Sequence, residues 1–577
     1  MPQDVARRLE ALERELLAVR ERLDRLEQRP SPMATSPASS LPLEPVVGAS
    51  PSLPPGIPAL VGGVLLALAG GYLVRALTEG ALLAPLAGTV LGLVYALLWA
   101  LLSDRAAARG HRLAAGFHGL TGVLLAYPLL LESAARFLTL SPVQAVILLS
   151  IVAATQVAVA RRRELAPLAW LSMLAALGTL MAILVSTHAV LATSFALLFL
   201  AALAEGLAVE GRWLGLRVPI ALVLDGELLL MVLLLRRESG LPPGYPPLGS
   251  SAALSALLLT PVLYMSGVVV RTIRLRRAVR AFAVLQGAAA LLIGLGGAYS
   301  LLTSSGGSAA PLALATLLLA ALCYGTAFFV VERRGGHRRN FYFYTTAGGL
   351  LALAGTGLLL SGEVLGLGLT WGTLALGAAA LARHPRRTTL RYHAVVFLAA
   401  QVIESGAARG ALTMLRTSGD GSAPLLRLWL SLALGLGSLA LLANRGRGEG
   451  WAESLPQALA AALAALPAAG ILVTILGAAL LPLVGEDAAT GAALRTGVLA
   501  ALALLTAVGS LRVRELGFLV YPLLAAGGLK LLAQDLPLGR PATLVASLML
   551  YGGALIGAPR LSRRAEPRDR NDQRSAG

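Results

Sequence analysis

Residues Val218–Leu235 read VPIALVLDGELLLMVLLL, an apolar run of 18 residues interrupted only by Asp225, Gly226 and Glu227. A helix of about 20 such residues rises roughly 30 Å, the thickness of a bilayer's hydrocarbon core. The run therefore reads as a membrane-spanning helix with two carboxyl groups near its middle. Charges at that depth are costly unless paired or wetted, so each acid is a candidate functional group. Being two residues apart, Asp225 and Glu227 face different sides of the helix, and one can face a cavity while the other pairs.

Similar runs fill the chain. Between Ile57 and Ala558 there are about eighteen, each of roughly twenty residues. Of the 577 residues 14% are charged and 56% hydrophobic, and the mean hydropathy is +0.75. An ordinary soluble domain carries about 25% charged residues, so a soluble globular protein is excluded. The expected fold is all-α: a polytopic membrane bundle of about 18 transmembrane helices, preceded by a short coiled coil.

The net charge of +18 comes almost wholly from arginine, with Lys530 the one lysine. The arginines cluster after the even-numbered runs, as in Arg161-Arg162-Arg163, Arg212 with Arg217, Arg271 through Arg280, and Arg333 through Arg339. The odd-numbered connections carry Gly, Ser, Pro and acids, so both termini are expected to be cytoplasmic by the positive-inside rule. Arg236 and Arg237 are the main exception. These arginines report orientation, and no nucleic-acid partner is implied.

Four segments are expected: 1–29, 30–56, 57–559 and 560–577. In the first, Val5, Leu9, Leu12, Leu16, Val19, Leu23 and Leu26 alternate by four and three, the seam of a coiled coil. Opposite charges at Arg8 and Glu13, Glu15 and Arg20, and Arg22 and Glu27 favour parallel self-association. The second is a Pro/Ser-rich flexible tether. The third is the membrane domain, and the last a basic cytoplasmic tail.

Further polar residues sit within apolar runs. Glu404, one turn from Gln401 and followed by Arg409, is placed near the middle of the run 394–412. Arg75, Arg409 and Lys530 fall in the outer third of their helices, where long cations snorkel or could share a pocket for an anion. Glu132 and Arg136, four apart, suit a local ion pair. Among His111, His118, His188, His337, His384 and His393 no two have the i, i+4 spacing of a helical metal site, and only His118 is expected inside a membrane helix. Cys323 reads as a small core residue, and no phosphate-binding loop occurs. No metal or cofactor is expected. Gly368 with Gly372, and Gly71 near Ala67, read as close helix packing.

The opening Gly71-Tyr72-Leu73-Val74-Arg75 with Glu79-Gly80 and Pro85, the stretch Leu140-Ser141-Pro142, and Glu164 to Ala169 form a recognisable layout. So do Lys530, Asp535-Leu536, Arg540, Ser547 and Tyr551-Gly552 near the C-terminus. Together with the coiled coil and tether, this layout resembles the bacterial predicted membrane proteins catalogued as domain of unknown function 2339. The resemblance implies a polytopic protein of the bacterial inner membrane with no established activity, and carries over only Lys530, Asp535 and Arg540. Lys530 and Asp535 are five apart, so a direct pair requires the helix to end or kink between them, as Pro537 would allow.

The leading expectation is a transporter or flippase-like protein using Asp225 or Glu404 to couple ions to an unidentified small-molecule or lipid-linked substrate. A scaffold acting through the coiled coil is the alternative. An enzyme on lipid-linked substrates comes third.

Overall fold

The computed structural model describes residues 57–335, 337–383, 388–416, 425–443, 451–485, 487–513, 516–538 and 540–563. The coiled coil expected at 1–29 and the tether at 30–56 lie outside them. Among the described residues the chain is helical and contains no strand. Contacts separate a unit ending at Gly63 from one beginning at Val64, and the second holds nearly all of the described helices.

The helices are α1 Ile57–Glu79, α2 Pro85–Ala108, α3 Arg112–Ala135, α4 Pro142–Arg163, α5 Ala166–Thr187 and α6 Val190–Val209. Then come α7 Arg217–Leu235, α8 Ser250–Val269, α9 Ala281–Ser304, α10 Ala310–Gly325, α11 Arg338–Leu359 and α12 Val364–Leu381. The last are α13 Thr388–Glu404, α14 Ala407–Arg416, α15 Leu425–Leu442, α16 Trp451–Val484, α17 Ala488–Gly509, α18 Gly517–Lys530 and α19 Pro541–Arg563. Among the described residues sixteen helices are long and apolar enough to cross a membrane, or seventeen if α13 and α14, bent by 61°, count as one span. The 22-residue α11 has the length, but its Tyr, Thr and Gly content makes it less apolar.

Local signals place several helix ends. Ser141 caps α4 by accepting from the Gln144 backbone N–H while the Gln144 side chain returns a bond to the Ser141 N–H, a capping box with Pro142 at the first helical position. Asp487 caps α17 by accepting from the Thr490 N–H at 2.8 Å. Within the spans, Thr121, Thr260 and Thr272 return their hydroxyls to the carbonyl four residues back, which removes an unsatisfied donor from an apolar setting.

Among the described residues three helices pass into π-turns, at Val270–Arg274 after α8, Thr326–Glu332 after α10 and Leu531–Asp535 after α18. The largest core is built by α2 through α9 around Tyr127, Leu149, Met173, Leu197 and Leu224. A second gathers α12 through α16, and smaller ones join α10 to α11 and α17 to α19. Small residues set several approaches. A Cβ at Gly71 would lie 2.4 Å from Leu125 and one at Gly372 would lie 2.3 Å from Leu434, whereas Gly368 meets only ordinary contacts.

The apolar run 394–412 does not form one straight span. It breaks after Glu404, where Gly406 takes φ +73° and the Ser405 hydroxyl accepts from the Ala407 N–H. Glu404 consequently ends a helix with an exposed side chain, and Arg409 is exposed on α14. Glu404 is therefore an exposed charge at a bend and not within a continuous helix, which corrects the straight span expected for 394–412. His393, not His118 alone, lies inside a helix, buried on α13 with Nδ1 3.1 Å from the Tyr324 hydroxyl.

Candidate functional site

The polar interior concentrates on α6, α7, α8 and α9. At the arginine-bearing end, Glu205 of α6 accepts from Arg217 Nε through Oε1 and from Arg271 Nη1 through Oε2, each at 2.5 Å. Glu205 is 4% exposed and Arg217 6%, so this is a buried triad. The Arg217 guanidinium also lies 4.6 Å over the Phe282 ring, a cation–π contact from α9. Gly267 makes room for the triad, since a Cβ there would stand 2.7 Å from Glu205 Oε2.

Eight residues deeper along α7, about 12 Å at helical rise, Asp225 faces α9. Both its oxygens accept from Gln286 Nε2 at 3.1 Å. Tyr264 of α8 lies within electrostatic reach of Asp225, Glu205 and Arg217, and its buried hydroxyl has no hydrogen-bond partner.

Glu227 turns the other way, toward α6. Its Oε1 accepts from Thr193 Oγ1 at 2.5 Å and from Ser194 Oγ at 3.0 Å. Its Oε2 is buried without a partner, and no cation pairs with it among the described residues. The Thr193 hydroxyl has one proton and three acceptors in reach: Glu227 and the carbonyls of Ala189 and Val190, each of the latter at 3.1 Å. It can serve an ionised Glu227, or turn to the backbone when Glu227 carries its own proton. Tyr264 and Asp225 thus continue from the triad toward α8 and α9, whereas Glu227 stands on the α6 side of α7.

Asp225 and Glu227, with their divergent faces, are legible in the sequence, whereas Glu205, Arg217, Arg271, Tyr264 and Gln286 were not singled out there. Glu205 was visible as the lone charge in the run Val190–Val209. Arg217 and Arg271 look identical in sequence to arginines that only mark orientation.

The remaining candidates are scattered among other interfaces. Lys530 is buried and fully bonded, its ammonium donating to Ala492 O at 2.6 Å, Thr496 Oγ1 at 2.8 Å and Asp535 Oδ1 at 2.6 Å. Thr496 in turn donates to Asp535 Oδ2 at 2.7 Å. The expected end or kink is not what brings the pair together. The helix continues as a π-turn through Leu531–Asp535, whose i to i+5 pattern stacks residues five apart on one face, and Pro537 falls within the short helix that follows. Arg75 is neutralised by Glu79 at 3.1 Å and Glu132 at 2.8 Å, and Arg136 reaches Glu79, not Glu132. Arg75, Arg409 and Lys530 therefore share no pocket. Gln401 is buried and donates to Ser431 at 2.9 Å. No group of three His, Cys, Asp or Glu side chains among the described residues is arranged to hold a metal.

These structural pairs have measurable consequences. Lys530→Met leaves Asp535 the Thr496 hydroxyl and the nearby Arg495 charge and is expected to destabilise the protein by about 1–3 kcal/mol, and adding Asp535→Leu should not recover the loss, because it removes a carboxylate that also faces the buried Arg495. Thermal unfolding in one detergent measures both. Arg540 donates to Asp487, whose carboxyl is held below the usual range chiefly by the Thr490 backbone N–H and further by the Arg540 charge. Its contribution is present above the ordinary aspartate range and disappears as pH falls through the lowered value. Hydrogen-exchange protection factors at the start of α17, taken relative to the intrinsic rate at each pH, should fall in acid, and in Asp487→Asn that acid-dependent step should be absent.

No family model, curated protein or solved structure matches this chain.

Proposed function

We propose that the protein is a multi-pass membrane transporter or flippase-like carrier in which proton binding at Glu227, with Asp225 nearby, is coupled to substrate movement. The observation that carries this reading is Glu227 itself: a buried carboxyl on a membrane-length helix, with hydroxyl donors on one oxygen, none on the other and no cation partner among the described residues. A purely structural carboxyl in an apolar setting is ordinarily paired, as Glu205 and Asp535 are. An unpaired one retained among other buried polar groups suits a group that gains and loses a proton as the surrounding helices rearrange. Glu227 takes the coupling role that the sequence alone divided between Asp225 and Glu404.

On this reading the protein lies in the bacterial inner membrane with both termini cytoplasmic, by the arginine distribution. Self-association through residues 1–29, and kinship with the family of unknown function 2339, belong to the same reading. The test is proton movement in vesicles holding the purified protein and a pH-sensitive dye, challenged with gradients of small-molecule and lipid-linked substrate classes. Substrate-dependent proton flux that is absent in Glu227→Gln supports the reading. Substrate movement that is unchanged in a correctly inserted Glu227→Gln protein contradicts it.

A further inference from the structure

Away from these polar groups, residues of α9 and α11 line a groove of about 1000 Å³. Its walls are apolar: Val284, Leu291 and Leu295 on one side, Phe343, Leu350 and Ala354 on the other. It runs from Val279 to Tyr299, about 30 Å at helical rise, which is the depth of the hydrocarbon core. At the arginine-bearing end its mouth holds Arg339 and Tyr342.

A second, smaller cavity of about 290 Å³ lies beside that mouth, with Arg276, Arg334 and His337 among its lining residues. Asn340 lines the smaller cavity and bonds Val279, which lines the groove. The Asn340 side chain is 2% exposed, accepts from the Val279 N–H at 2.8 Å and donates to the Arg277 carbonyl at 3.0 Å. It thereby ties the loop that carries Arg276 to the start of α11, and Arg276 itself is held in the left-handed region at φ +52°. Among the described residues no carboxylate lines either cavity.

We infer that this groove binds an anionic phospholipid, with acyl chains along the apolar walls and the phosphate at Arg339 beside the Arg276, Arg334 and His337 pocket. Charge complementarity selects this occupant. Basic pockets between membrane helices on the cytoplasmic side recognise anionic headgroups, and a zwitterionic lipid would leave the positive charge unmatched. A second copy of the chain docked face to face would set these cations against their own counterparts.

The experiment is native mass spectrometry of the full chain in mild detergent, given equal amounts of phosphatidylglycerol and phosphatidylcholine of the same chain length. Phosphatidylglycerol should be retained about tenfold over phosphatidylcholine. Exchanging Arg276, Arg334 and Arg339 together for Gln should remove the preference while leaving apolar retention. Ala288→Trp, at an exposed position of the groove, should lower retention of both lipids. Equal retention of the two lipids by the wild type overturns the inference, as does a preference that survives the triple exchange or retention undiminished by Ala288→Trp. So does a dimer cross-linked through cysteines placed at Leu292.

Discussion

Glu227→Gln is expected to reduce proton movement to the level of protein-free vesicles while costing less stability than Glu227→Ala, because it leaves no void and keeps the acceptor for Thr193 and Ser194. The amide keeps a carbonyl oxygen where Oε1 accepts from Thr193 and Ser194, and its NH2 takes the place of the unpartnered Oε2. What the amide cannot do is release and rebind a proton. Glu227→Ala abolishes the same flux by a different route, since it also removes the acceptor for two buried hydroxyls and leaves a void. That variant should lose about 1–3 kcal/mol. The contrast between a stable inactive Gln variant and a destabilised inactive Ala variant separates a proton-exchanging role from a structural one. Thermal unfolding of both, beside their flux, reads the distinction.

Glu205→Ala should have the largest effect on stability, about 3–5 kcal/mol, because it strands two arginines that share one carboxylate. Arg217 is 6% exposed and cannot reach water without moving α7. Its contact with Phe282 returns only about 2 kcal/mol of cation–π attraction, less than the buried charge demands. Replacing all three charges, Glu205→Leu with Arg217→Met and Arg271→Met, should restore most of the stability, since a well-packed apolar substitute for a buried ion group is often neutral. Melting of the single and triple variants in one detergent measures this. A single variant that melts with the wild type would show that the triad is solvated in the protein.

The length and apolarity of the runs made the helices legible, because a stretch of about twenty such residues has few alternatives in lipid. Asp225 and Glu227 stood out for the same reason, and their two-residue spacing correctly separated their faces. Three kinds of information were hidden. The bend after Glu404 depends on Ser405 and Gly406 turning the chain by 61° within a composition that still reads as apolar, so the acid expected inside a straight helix sits at the bend. The π-turn joining Lys530 to Asp535 has no signature in a 3.6-residue pattern; tertiary bonds to Ala492 and Thr496 accompany it. Arg217 and Arg271 carry the same residue type, at the same loop-proximal positions, as arginines that remain at the surface. Only the presence of Glu205 between them distinguishes the two roles.

The most direct test of the central claim is infrared difference spectroscopy of the reconstituted protein across a pH titration, comparing wild type with Glu227→Gln. A carboxylic C=O band that disappears as pH rises, and is missing from the Glu227→Gln protein, is the predicted result. A wild-type spectrum with no pH-sensitive carboxylic band, or a band unchanged in Glu227→Gln, would contradict the assignment of Glu227 as the proton-exchanging group.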